Sequence, residues 1–237
     1  MRGSNVAVNK AVRREPAPTA APGPLVARGG AHRDAGHERQ APVRDLLLEA
    51  AIRLFCRFGI GATSIDAVVA ESGIARMTLY NHFGSKEGLV LAALQHEGSA
   101  WRAWFFTRLA EIGGKAEDRL IGVFDILAEW FERADYFGCA FMNAILEARN
   151  QDETLLSITY AHKAQVLDQL RALAAAAGVP EPEEFAQQID LLMDGAIVKA
   201  LIKRSARPAR EAKAIAKAMI VQSLGRENAA QPSSPGT

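Results

Sequence analysis

Between Thr63 and Phe83 the chain reads as two short helices joined at a single glycine, and few folds can use such a pair. Thr63 or Ser64 can cap the first helix, with Asp66 in its opening turn, where an acid favours the positive helix end. Ile65, Val68 and Val69 are spaced to point inward, Gly73 permits a tight turn, and Ile74 plugs the core beneath it. Leu79 and Phe83, one helical turn apart, anchor the second helix by burial. Arg76, Met77, Thr78, Tyr80, Asn81 and His82 are left to cover its other faces.

The flanking sequence is helical as well. A helix over about Arg44–Phe58 stacks Leu47, Ala51, Leu54, Phe55 and Phe58 on one side, and Gly59 stops it. Ser85-Lys86-Glu87 opens a longer helix towards Ala110, and Gly113-Gly114 break the chain. Further helices are expected over about Ala116–Ala134, Cys139–Ala148, Thr154–Ala177, Pro182–Lys203 and Pro208–Leu224. No stretch alternates as a strand does, so the spacing predicts an all-α protein of about nine helices. The parts expected are a tail over 1–41, a three-helix unit over 42–101 with its helix-turn-helix at 64–83, a bundle over 102–225 and a tail over 226–237. Both tails are expected to be disordered, the first because its arginines are set among Ala, Pro and Gly with too little apolar surface to fold.

Two glycine-linked short helices with a polar outer face suit the major groove of DNA. Arginine forks onto guanine, asparagine pairs with adenine, and Thr or Met meets a thymine methyl. Tyr80, His82 and Lys86 carry polar tips suited to phosphate oxygens. A surface helix in a generic bundle is the plainer reading of the same spacing. The residues Phe55, Gly59, Thr63-Ser64-Ile65, Ala70-Glu71-Ser72-Gly73-Ile74, Thr78-Leu79-Tyr80, His82-Phe83 and Ser85-Lys86-Glu87 favour the first. With them, Arg44 to about Leu94 resembles the N-terminal domain of the TetR/AcrR family of bacterial transcriptional regulators. The resemblance implies a cytoplasmic bacterial homodimer on a palindromic double-stranded operator, bound to the nucleoid when engaged. Such a protein is usually a repressor released by a small ligand. The resemblance also carries over Ser64, Arg76, Thr78, Tyr80, Asn81, His82 and Lys86 as DNA contacts. Two residues depart from the family pattern: Ala75 removes a side-chain cap worth about 1 kcal/mol, and Gly88 stands where a better helix former is usual. Both are expected to loosen the reading head or to shift which residue caps it.

The whole chain has a formal charge of only +1, so DNA binding has to come from local geometry. Even the stretch from Arg44 to Val90 is neutral: Arg44, Arg53, Arg57, Arg76 and Lys86 are matched by Asp45, Glu49, Asp66, Glu71 and Glu87. Either Arg28, Arg33 and Arg39 of the tail reach the neighbouring minor groove, or the tail does nothing.

In the second half, the stretch from Leu191 to Ile202 is almost apolar all round, which implies burial on every side. One side would meet the bundle and the other a second subunit, through Leu192, Gly195, Ala196, Lys199, Ile215 and Met219. Most aromatics fall in the middle helices. They point to an apolar pocket for a small apolar or aromatic ligand, lined by Trp101, Phe105, Phe124, Leu127, Trp130, Phe141, Asn143 and Tyr160. His162, Asp190 and Asp194 are further polar handles, and Gly138–Asn143 resembles a stretch in some C-terminal domains of the family. Filling the pocket would tilt the long fourth helix and change the separation of the heads. A protein partner or oxidation of Cys139 is the alternative input.

No cofactor or metal is expected, since Cys56 and Cys139 match no zinc spacing. An enzyme is disfavoured: the chain has no H-E-x-x-H, no phosphate loop and no Gly-x-Ser-x-Gly, and nothing orients a third group behind Cys139 and His162. No apolar run is long enough for a membrane span.

Overall fold

A computed structural model describes residues 42–149 and 152–230, with 226–230 as backbone alone. The described residues form nine helices and no strand: α1 (Val43–Phe58), α2 (Ile65–Ser72), α3 (Arg76–Phe83), α4 (Lys86–Glu111), α5 (Ala116–Phe131), α6 (Ala140–Glu147), α7 (Glu153–Ala176), α8 (Pro182–Lys203) and α9 (Arg207–Ala230). The last helix therefore passes Leu224 and takes in 226–230, expected to be disordered, where Arg, Glu and two Ala favour helix and outweigh Asn228. The tail over 1–41, with Arg28, Arg33 and Arg39, and the segment 231–237 lie outside the described residues.

Two apolar cores share α4. Leu89, Val90, Ala93 and Leu94 of its first half join Leu47, Leu48, Ala51 and Phe55 of α1, Ile65 and Val68 of α2, and Leu79 of α3. Trp101, Phe105 and Leu109 of its second half join Phe124 and Leu127 of α5, Leu170 of α7, Ile189 and Met193 of α8 and Ala216 and Ile220 of α9. The first core also takes in Phe141 and Ala144 of α6 and Leu155 of α7. The head thus rests on α6 as well as on α4, which spacing alone does not reveal.

Phe58 is exposed, against the expected stack: it is the last residue of α1, and Gly59 turns the chain away before anything can cover it. Phe83 is half-buried, with the Arg44 guanidinium 5.5 Å from its ring centre.

Candidate DNA interface and internal cavity

Ser64 is the cap of α2, its hydroxyl oxygen accepting from the Ala67 N–H at 3.1 Å. Thr63 is instead buried and donates to the Gly59 carbonyl at 2.7 Å, tying the end of α1 to the start of α2. Gly73 ends α2 at φ 70°, the left-handed region where glycine costs least. Ala75 then begins α3 with no side-chain cap, as its methyl group requires. Gly88 stands in the first turn of α4, where its own N–H donates to the Ser85 hydroxyl oxygen at 3.1 Å. The Phe83 carbonyl oxygen lies 2.1 Å from where a Cβ would stand, so a glycine is what lets α3 and α4 close up here.

Leu79 has no exposed surface and pins α3 to the head. Around the outer side stand Arg76, Met77, Asn81 and His82, all exposed, with Thr78 and Tyr80 half-buried. Met77, 70% exposed, is the large apolar side chain that α3 shows to solvent. Arg76 is held 3.2 Å from the Asp66 carboxylate and lies 6.0 Å from the Tyr80 ring centre. Both charges are exposed, and such pairs contribute about 0–1 kcal/mol, so a phosphate or a guanine edge can displace Asp66. Lys86, at the start of α4, places its Nζ 3.5 Å from the Gly61 carbonyl.

Inside the bundle, α4, α5, α6, α7 and α8 meet at a narrow, nearly closed cleft with room for little more than a water or two. Trp101, Trp130 and Phe141 line it as the sequence suggests. Phe105, Phe124 and Leu127 do not; they are packed into the solid core beside it. Asn143 sits in the first turn of α6 and donates to the Phe137 carbonyl at 3.0 Å. Tyr160 is 71% exposed, because α7 turns Leu155, His162 and Val166 inward and leaves Tyr160 on the far side.

Charged residues complete the wall. The Lys163 ammonium lies 2.9 Å from Asp190 and 2.6 Å from Asp194. Burial opposes its charge, but the two aspartates hold its pKa above the usual lysine value. His162 stacks on Phe141 with centres 4.2 Å apart, and its Nδ1 lies 2.7 Å from Arg102 Nη1. A guanidinium only donates, so Nδ1 accepts and the imidazole is neutral. Burial, reinforced by the Arg102 and Lys163 charges, pushes its pKa down to about 3. The Cys139 thiol also lines the cleft, and burial pushes its pKa up, as it does for Cys56. The indole N–H of Trp101 is buried without an acceptor. Glu97 was missed by sequence reading, as were Arg102 and Lys163, because five helices contribute to the wall and no local pattern brings them together. Among the described residues, no group of His, Cys, Asp or Glu is placed to hold a metal ion, and no helix is long and apolar enough to cross a membrane.

The family model for "Bacterial regulatory proteins, tetR family" matches residues 47–93, the span that carries this reading head. The whole described fold matches the crystal structure of SCO4454, a TetR-family transcriptional regulator from Streptomyces coelicolor, with a TM-score of 0.70 and 25% identity over 76% of this chain and 95% of that one. Residues 47–93 form a DNA-binding domain of the tetR family, and the described fold is that of a solved tetR-family regulator.

Among curated relatives, the transcriptional regulator YjdC of Escherichia coli is 22% identical over 162 residues, 68% of this chain and 85% of YjdC. The transcriptional repressor ComR of Escherichia coli is 33% identical over 101 residues; that match spans 42% of this chain and only 48% of ComR. The protein is therefore a DNA-binding helix-turn-helix transcriptional regulator and not an enzyme.

Two further features matter in a tetR-family regulator. The first is the outer face of α8 and α9. Leu191 is 73% exposed, Ile202 75% and Ile215 50%, with Gly195 and Lys199 exposed between them. Leu192 and Met219 are partly buried against the subunit's own core. Ala196 is buried in the bundle and not at the surface, since it shares the inward stripe of Met193, Ile197 and Ala200. The second is Glu147, at the end of α6. Its carboxylate accepts from the Ile60 N–H at 2.7 Å and from the Gly61 N–H, so α6 grips the turn between α1 and α2. The two partners lie 87 and 86 residues away in the chain, and nothing around Glu147 announces them.

Proposed function

We propose that this protein is a homodimeric repressor that holds a palindromic operator with α3 of each subunit and releases it when a small molecule enters the cleft. The reading places it in the cytoplasm, at the nucleoid when bound. The observation that carries it is the outward set of Arg76, Met77, Asn81 and His82 on a helix pinned by Leu79. Ser64, Thr78, Tyr80 and Lys86 flank that set and serve as positioning contacts to the backbone. The likeness to the repressor ComR supports the sign of regulation, and the bare face of α8–α9 supports the second copy. In this reading the head is 42–101, the remainder to 225 senses and pairs, and the tail arginines add attraction.

Release runs through α6 together with α4. Phe141, in the first turns of α6, lines the cleft, and Glu147 at its other end holds the head. A ligand that displaces Phe141 shifts Glu147 and with it the turn before α2. Two half-sites must face the same side of the duplex, about 34–36 Å apart, so a small rotation of each head abolishes simultaneous binding. The burial that keeps the Cys139 thiol protonated argues against oxidation as the input. The test is recovery of bound fragments from the genome, followed by a thermal-shift screen against metabolites. A protein stabilised by no compound, yet released from DNA by another protein, would favour the partner reading.

A further inference from the structure

We propose that the cleft takes a small organic cation that pushes Phe141 aside as it enters, with its charge against Glu97 and a flat apolar body against Trp101 and Trp130. The inference rests on reading the cleft as the effector site, and it names the chemical class of that effector.

Glu97 lines the cleft, and among the described residues no hydrogen bond or ion pair engages its carboxyl. The Arg133 charge that acts on it is already gripped by Asp135, through two contacts of 2.9 Å. Lys163, the one cation among the lining residues, is paired with Asp190 and Asp194, and Arg102, outside that lining, bonds to the neutral His162. An entering anion would therefore meet a lysine that is already paired, whereas a cation finds an unpaired carboxyl. The walls suit the same guest. Trp101 and Trp130 meet edge to face with centres 5.5 Å apart, and Phe141 adds a third ring. Ring faces attract cations most where water is excluded.

The neighbours of Glu97 define what pH should do. Cys56 from α1 and Cys139 before α6 are kept as thiols by burial. His162 of α7 stays neutral, and Lys163 of α7 and Asp194 of α8 hold each other's charge. Arg133 and Asp135, between α5 and α6, are paired. Burial pushes Glu97 itself up to about 7, with Arg133 pulling it down and Asp135 pushing it up. Cation binding favours the ionised carboxylate, so affinity should rise about tenfold from pH 6 to pH 8, following that fraction.

The test uses the full chain and three matched probes: benzyltrimethylammonium, the neutral isostere neopentylbenzene, and phenylacetate. Binding is read by the fluorescence of Trp101 and Trp130 and by calorimetry. The cation should bind at least about tenfold more tightly than either other probe. Glu97→Gln should erase that preference and the pH dependence while leaving the melting temperature at pH 6 within a few degrees. Equal or better binding of phenylacetate, no binding of the cation at millimolar concentration, or a preference that survives in Glu97→Gln would overturn the proposal. Operator release is measured separately. A cation that binds without releasing DNA sinks the regulatory reading and spares the ligand class; a neutral effector that releases DNA through this cleft does the reverse.

Discussion

Arg76 and Asn81 stand on the same short helix and are expected to fail differently from Lys86 when removed. Base-reading pairs are worth about 1–3 kcal/mol each, so Arg76→Ala or Asn81→Ala should weaken operator binding about tenfold or more and relax the preference at one position of each half-site. Lys86→Ala should weaken binding evenly across sequences and lower the salt dependence by about one ion. Titrations of operator and mutated operators at several salt concentrations separate the two patterns; the same loss on every sequence for all three variants would contradict the assignment. His162 makes a second prediction at this scale. Its folded pKa, about 3, lies below the ordinary 6.5, so the neutral ring stabilises the fold above that ordinary value and the contribution is lost as pH falls towards 3. His162→Gln should therefore flatten the fall in melting temperature between pH 6 and pH 4. An identical slope would mean that the ring already takes up a proton in the fold.

At the scale of elements, the helices of the head were legible because their signals are local: a serine cap, a glycine in the left-handed region and apolar residues one turn apart. Ser64, Gly73 and Leu79 each act within a few residues. Gly88 shows where that legibility stops. Read alone it weakens a helix, but in the fold it gives way to the Phe83 carbonyl of another element. Gly88→Ala should lower the stability of the protein by about 1–3 kcal/mol despite the better helix propensity of alanine, and urea unfolding that shows no loss would refute the close approach. The cleft was half legible for the same reason. Aromatic density pointed to Trp101, Trp130 and Phe141, but only the phase of α7 decides that His162 faces inward and Tyr160 outward. Glu147 could not have been found locally at all, since its partners belong to the turn between α1 and α2. Glu147→Gln keeps its size but weakens its grip on two backbone N–H groups. Its operator affinity should change by less than about threefold while the ligand concentration needed for release rises about tenfold, a coupling loss of about 1 kcal/mol or more. Unchanged release would place transmission elsewhere.

For the molecule as a whole, the exposed apolar stripe of Leu191 and Ile202 on α8, continued by Ile215 on α9, is more than a scatter of surface residues needs. The outward stripe and the inward stripe of Met193, Ala196, Ile197 and Ala200 together explain a helix apolar on nearly every side. Ile202→Glu places like charges across a two-fold interface and should weaken the dimer by about 3 kcal/mol or more. Analytical ultracentrifugation should find the variant monomeric, with operator binding lost although α3 is untouched.

The most direct measurement is the stoichiometry and sequence preference of the full chain on a DNA fragment recovered from its own genome, alongside the Asn81→Ala variant and a scrambled fragment. The account predicts two subunits per site, a protected pair of half-sites about one duplex turn apart, and preference for the native fragment that Asn81→Ala sharply reduces. A single bound subunit, or equal affinity for native and scrambled DNA, would contradict it.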